Sequence, residues 1–110
     1  MTFEEHCEEC LQKLGERWPE VHKWLDAYAK ETFPLDSHRL HRHHEGGVLE
    51  AYSRWGGQAA EAAKLHILSD VRPYGLDHVP TFEEAEKLWG PVVVHHPQGK
   101  IEIRKRLECD

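Results

Sequence analysis

Apolar residues recur at three- and four-residue intervals through most of the chain and alternate with polar ones only near its end. That pattern predicts helices first and a short extended segment last. Thr2 and Glu5 form a capping-box pair that starts a first helix running to about Arg17, with Gly15 near its end. Pro19 opens a second helix whose apolar face is Val21, Trp24, Leu25 and Tyr28, and Phe33-Pro34 stops it. Asp36 or Ser37 can cap a third helix, which continues through Val48, Leu49 and Tyr52 towards Trp55. Gly46-Gly47 interrupts it, at up to about 1 kcal/mol per glycine relative to alanine, so a kink is admitted there. Gly56-Gly57 ends it, and an alanine-rich fourth helix follows from about Gln58 to Asp70. After a loop with Pro73, Gly75 and Pro80, Thr81 and Glu84 cap a short helix. Val92-Val93-Val94 and Ile101-Glu102-Ile103-Arg104 then flank Pro97-Gln98-Gly99-Lys100, which reads as a β-hairpin. Such a hairpin needs helices or another chain to support it. The predicted fold class is mainly α: a helical bundle of about four helices plus a short helix and a C-terminal β-hairpin. It forms one domain over 1–110, with the bundle in 1–90 and the hairpin in 91–110.

A chain of 110 residues suits one modest core. No apolar run approaches the roughly 18 residues of a membrane span, and the start is acidic (Glu4, Glu5, Glu8, Glu9), unlike a signal peptide. The expected location is therefore cytoplasmic, with no membrane partner. A formal charge of −6 argues against general nucleic-acid binding, although ten histidines would reverse that balance in acid. Cys7, Cys10 and Cys109 are too few for a secreted disulfide framework. Cys7 and Cys10 share a helical stripe with Phe3, Leu11 and Leu14, which favours burial as small hydrophobes over a zinc or redox role.

The chemistry concentrates in histidine. His38, His41, His43, His44 and Glu45 fall within eight residues, and imidazole is the commonest metal ligand. On a regular third helix Val48, Leu49, Tyr52 and Trp55 define the core-facing arc. His41, His44 and Glu45 project beside that arc and His38 lies at its edge, while Arg39, Arg42, His43, Glu50 and Arg54 face away. On the fourth helix Ala59, Ala62, Ala63, His66 and Asp70 share one face. His22 and Asp26 repeat the His-x-x-x-Asp spacing on the second. Each pair taken alone is an ordinary intrahelical contact worth a few tenths of a kcal/mol. Together, on three neighbouring helices, they outline a metal site of the kind bundles build between facing helices.

His6-Cys7 with Leu14-Gly15, Val21-His22-Lys23-Trp24-Leu25-Asp26, His38-Arg39, Arg42-His43-His44, Gly47-Val48, His66-Ile67 with Asp70, and Val79-Pro80-Thr81 occur in this order. In these stretches the chain resembles a family of small bacterial and phage-associated proteins without an assigned function. The resemblance runs from His6 to Trp89 and singles out His6, His22, Asp26, His38, His43, His44, His66 and Asp70. His41, Glu45, Cys7 and Cys10 stand outside its pattern.

Two function classes follow. In the first, His38, His44, His66 and Asp70 hold a divalent transition metal (Zn, Mn, Fe or Ni) that activates water. His22 with Asp26 then acts catalytically, as general base or phosphate contact, on a small phosphorylated substrate. This ligand set is similar to that of HD-type phosphohydrolases, although the adjacent His-Asp pair of that superfamily is absent and Asp77-His78 runs in reverse. The alternative is a non-enzymatic bacterial or phage accessory protein with a structural histidine-rich core and a protein partner. A homodimer is compatible with either.

Overall fold

The computed structural model describes residues 1–27, 41–90 and 92–104. Among these residues five helices carry the fold: α1 (Phe3–Leu14), α2 (Pro19–Leu25), α3 (Glu45–Trp55), α4 (Gly57–Val71) and α5 (Phe82–Trp89), with a 3₁₀ turn at Arg72–Tyr74 after α4. The capping box of α1 forms as expected: Glu5 N–H donates to Thr2 Oγ1 at 3.2 Å, and Thr2 N–H donates to Glu5 Oε1 at 3.1 Å. Gly15 ends α1 in the left-handed region at φ 85°, its N–H donating to Leu11 O. Trp18 also takes positive φ (52°) and turns the chain into α2. Its indole N–H is anchored on Gln58 Oε1 of α4 at 2.9 Å, which offsets a backbone conformation that L-residues resist.

α4 is the central helix and packs against α1, α2 and α3. Its buried face is Ala59, Ala60, Ala62, Ala63, His66, Ile67, Asp70 and Val71. Four alanines let the neighbouring helices come close, and their approach brings His66 and Asp70 within reach of side chains on α1 and α2. Cys10, Val21, Leu25, Val48, Ala51, Ala85 and Trp89 complete the apolar core. Cys7 and Cys10 are fully buried free thiols, and burial pushes the Cys10 thiol up to about 11. Both are core residues. No helix of the described residues is long and apolar enough to cross a membrane.

The structure corrects three expectations. The second helix stops at Leu25, with Asp26 as its cap, rather than continuing to Phe33; Tyr28 lies outside the described residues. The third helix is not continuous from Asp36 to Trp55. His41 and Arg42 are helical, the chain bends at His43 and His44, and α3 starts afresh at Glu45. Gly47 is the physical reason: a Cβ there would meet the Arg42 carbonyl oxygen at 1.8 Å, so only glycine admits the fold-back. The restart changes the helical phase. Val48 and Ala51 face inward, while Leu49 and Tyr52, expected in the core, are exposed.

The third correction concerns the fold class. A bundle completed by a packed C-terminal β-hairpin is not supported; the architecture is mainly helical. Val92–His95 and Ile101–Arg104 lie antiparallel, Val92 opposite Arg104 and His95 opposite Ile101, but their substantial contacts are only with each other.

Candidate metal centre

α2, α4 and the bend before α3 meet at one polar cluster inside the helices. His22 comes from the last turns of α2 and Asp26 from its C-cap. His66 and Asp70 come from successive turns of α4, His43 from the bend, and His6 from the first turn of α1. His22, His43 and His66 are fully buried, and His6 and Asp70 nearly so. A cluster this dry must satisfy its polar atoms internally or bind something that does.

The hydrogen bonds determine where the protons sit. His22 Nε2 lies 3.0 Å from the Arg17 carbonyl oxygen. A carbonyl only accepts, so Nε2 carries the hydrogen and a neutral His22 keeps a lone pair on Nδ1. That Nδ1 lies 2.9 Å from His66 Nδ1, which must therefore donate. Neutral His66 then has its remaining lone pair on Nε2, facing two carboxylates: Asp70 Oδ2 at 3.2 Å and Asp26 Oδ1 at 3.5 Å. His66 Nε2 lies close to both oxygens without a well-formed hydrogen bond to either. Three acceptors that share one space favour a cation there. Without a metal that cation is a proton on His66: burial opposes it, but the Asp26 and Asp70 carboxylates prevail and raise the imidazole pKa above its ordinary value.

His43 Nε2 closes the same space, 2.9 Å from Asp70 Oδ2 and 3.5 Å from Asp26 Oδ1. Asp26, His43, His66 and Asp70 thus offer four donor atoms all within 4.8 Å of one another. Their separations of 2.9, 3.2, 3.5 and 3.5 Å can be compared with ideal geometry. Ligands about 2.1 Å from an ion lie about 3.4 Å apart on a tetrahedron and about 3.0 Å apart at adjacent octahedral corners. The observed edges span both values. Two neutral imidazoles and two carboxylates make a mixed nitrogen–oxygen set suited to Zn, Mn, Fe or Ni.

The other Asp70 oxygen, Oδ1, lies 3.4 Å from His6 Nε2. Burial opposes charge on Asp70, but contacts from His43, His6 and His66 outweigh it and hold the carboxyl well below its usual range. Burial dominates for the other two rings. It depresses His43 to about 4 and, aided by the neighbouring His66 and His6, His22 to about 4, so both are neutral. Without a metal, His43 Nε2 carries its ring's hydrogen and donates it to Asp70 Oδ2 at 2.9 Å, and coordination through Nε2 takes the other tautomer.

His6, His22 and His66 form a second close group, but its geometry suits contact rather than coordination. His6 stacks on His66 with ring centroids 3.7 Å apart and planes 13° from parallel, and lone pairs in stacked rings do not converge. His22 and His66 already face each other as donor and acceptor.

Of the residues singled out from sequence, His22, Asp26, His66 and Asp70 come together here. His44 does not join them: it caps α3, its Nδ1 accepting from Gly46 N–H at 3.0 Å. His41 is exposed and Glu45 lies on the surface at the start of α3. His38 lies outside the described residues. His43, which helical phase pointed outward, is fully buried in the cluster. The Gly46-Gly47 pair was the available signal, since a glycine pair beside the histidines allows the break that turns His43 inward. His6 was marked only by the family resemblance, being a single histidine on an otherwise ordinary amphipathic helix.

The profile of a family described as a domain of unknown function (DUF6915) matches residues 1–85, a span that contains all six clustered residues. No curated protein and no solved structure matches the chain.

Proposed function

This chain belongs to the DUF6915 family, and we propose that it is a metal-binding protein holding one divalent transition-metal ion between His43, His66, Asp26 and Asp70. The carrying observation is the proton accounting at His66: the His22 contact commits its Nδ1 to donation and leaves Nε2 among two carboxylates and a neutral imidazole. A divalent ion satisfies all four groups, and the charges of Asp26 and Asp70 neutralise it in a site too buried to tolerate net charge. His22 and His6 hold the ligands in place, as outer partners of metal-bound imidazoles and carboxylates do.

The finer reading is a metal-dependent hydrolase acting on a small phosphorylated substrate in the cytoplasm. Its support is access: Asp26 is the one member of the set that reaches solvent, its side chain 36% exposed against 4% for Asp70 and 0% for both imidazoles. An ion with one side open can hold water and lower its pKa towards neutrality. His22 has both ring nitrogens engaged, so in this reading its role is to fix His66 rather than to meet the substrate.

The test is metal analysis of untagged protein alongside His43→Ala, His66→Ala and His44→Ala. One equivalent of metal in the parent and His44→Ala proteins, lost in the other two, is expected. Absence of metal, with no thermal stabilisation by added Zn, Mn, Fe or Ni, overturns the reading. Bound metal with no turnover across a phosphoester panel removes the hydrolase and leaves a bacterial or phage accessory protein with a structural ion.

A further inference from the structure

The four donors are not equivalent. His43, His66 and Asp70 are buried and cross-braced: His43 and His66 both contact Asp70 Oδ2, and His66 is further held by His22. Asp26 differs in two respects. Its Oδ1 stands 3.5 Å from both imidazole nitrogens, against 2.9 and 3.2 Å for Asp70 Oδ2, and of the four side chains it alone faces solvent. We infer that His43, His66 and Asp70 form the permanent ligand set and that Asp26 occupies an exchangeable position, where an incoming anionic oxygen ligand takes its place. The inference rests on the metal reading above.

Charge selects the class of that ligand. A divalent ion with Asp70 and Asp26 is neutral overall, whereas exchange of Asp26 for a neutral donor leaves one positive charge in a largely buried site. An anionic oxygen, a carboxylate or a phosphate ester, preserves neutrality. Two imidazoles and one carboxylate with the remaining position open is an arrangement through which both zinc hydrolases and iron oxygenases admit their substrates.

The experiment is chemical rescue in the cobalt-loaded full-length protein, read by Co²⁺ affinity and by its visible absorption. Asp26→Ala is expected to keep one Co²⁺ per chain, bound more weakly than in the parent and with an altered spectrum, and millimolar acetate should restore both affinity and spectrum. Asp70→Ala is expected to bind no Co²⁺ at the same concentrations, with or without acetate. Asp26→Asn, which keeps the side-chain shape, provides a second variant should Asp26→Ala fold poorly; it too should retain Co²⁺ with a changed spectrum. Loss of binding in both Asp26 variants without rescue, or an Asp26→Ala spectrum identical to the parent's, overturns the inference while the metal centre stands. A parent protein that takes up no Co²⁺ overturns both.

Discussion

His22 offers the sharpest test of the site's construction, because it is fully buried and yet is not proposed to touch the ion. Its two ring nitrogens bridge the Arg17 carbonyl at 3.0 Å and His66 Nδ1 at 2.9 Å. His22→Leu removes the acceptor for His66 Nδ1–H and strands the Arg17 carbonyl. Leaving a buried donor unpaired costs about 1–3 kcal/mol of stability. Loss of an outer partner of a metal-bound imidazole costs about 10- to 100-fold in metal affinity, which is about 1.4–2.8 kcal/mol. His22→Asn separates the two effects, since its side-chain oxygen can still accept from His66 while the Arg17 contact is lost. Competition against a chromophoric zinc chelator should place His22→Leu 10- to 100-fold below the parent and His22→Asn within several-fold of it. Thermal melts of the metal-free proteins should show both variants destabilised. Parent-like zinc affinity in His22→Leu would refute the orienting role. Complete loss in His22→Asn would instead make His22 a ligand and move the ion towards the His6–His22–His66 group.

Three further outcomes follow from the geometry. Gly47→Ala drives a Cβ into the Arg42 carbonyl at 1.8 Å and should cost about 3 kcal/mol or more in urea unfolding; Gly57→Ala, whose nearest neighbour is a Tyr52 ring carbon at 3.9 Å, should be neutral or slightly stabilising. Unfolded His43 takes up its proton near pH 6.5, whereas folded His43, depressed by burial, resists until about 4. Its contribution is therefore fully present above pH 6.5 and falls by about 3 kcal/mol as pH drops to 4, measurable by urea titrations in chelator. His66, with its raised value, works oppositely: its contribution holds below pH 6.5 and is lost as pH rises through the folded pKa. His44→Ala should lose about 1 kcal/mol through the missing α3 cap, measured by thermal melting, with zinc affinity unchanged.

Most of the cluster was legible in the chain because helices repeat. His-x-x-x-Asp occurs on two segments whose helical period is clear, and α2 and α4 place those residues face to face across a stripe of alanines. The histidine run was read least well, for a physical reason. Helical phase carries through a segment only while the helix is continuous, and the bend at His43-His44 resets it. The same reset exchanged Ala51 for Leu49 and Tyr52 at the buried face of α3. A glycine pair signals that a break is allowed, but the close approach of the Arg42 carbonyl that compels it depends on tertiary contacts. The C-terminal alternation suggested a hairpin, but a period of two says nothing about whether a helical surface receives the segment, and the architecture is mainly helical.

An anomalous-scattering measurement on crystals of the zinc-loaded protein tests the central claim most directly. A single peak is predicted about 2.1 Å from His43 Nε2, His66 Nε2, Asp70 Oδ2 and Asp26 Oδ1. A peak between His6, His22 and His66, or none inside the helices at stoichiometric zinc, would contradict it.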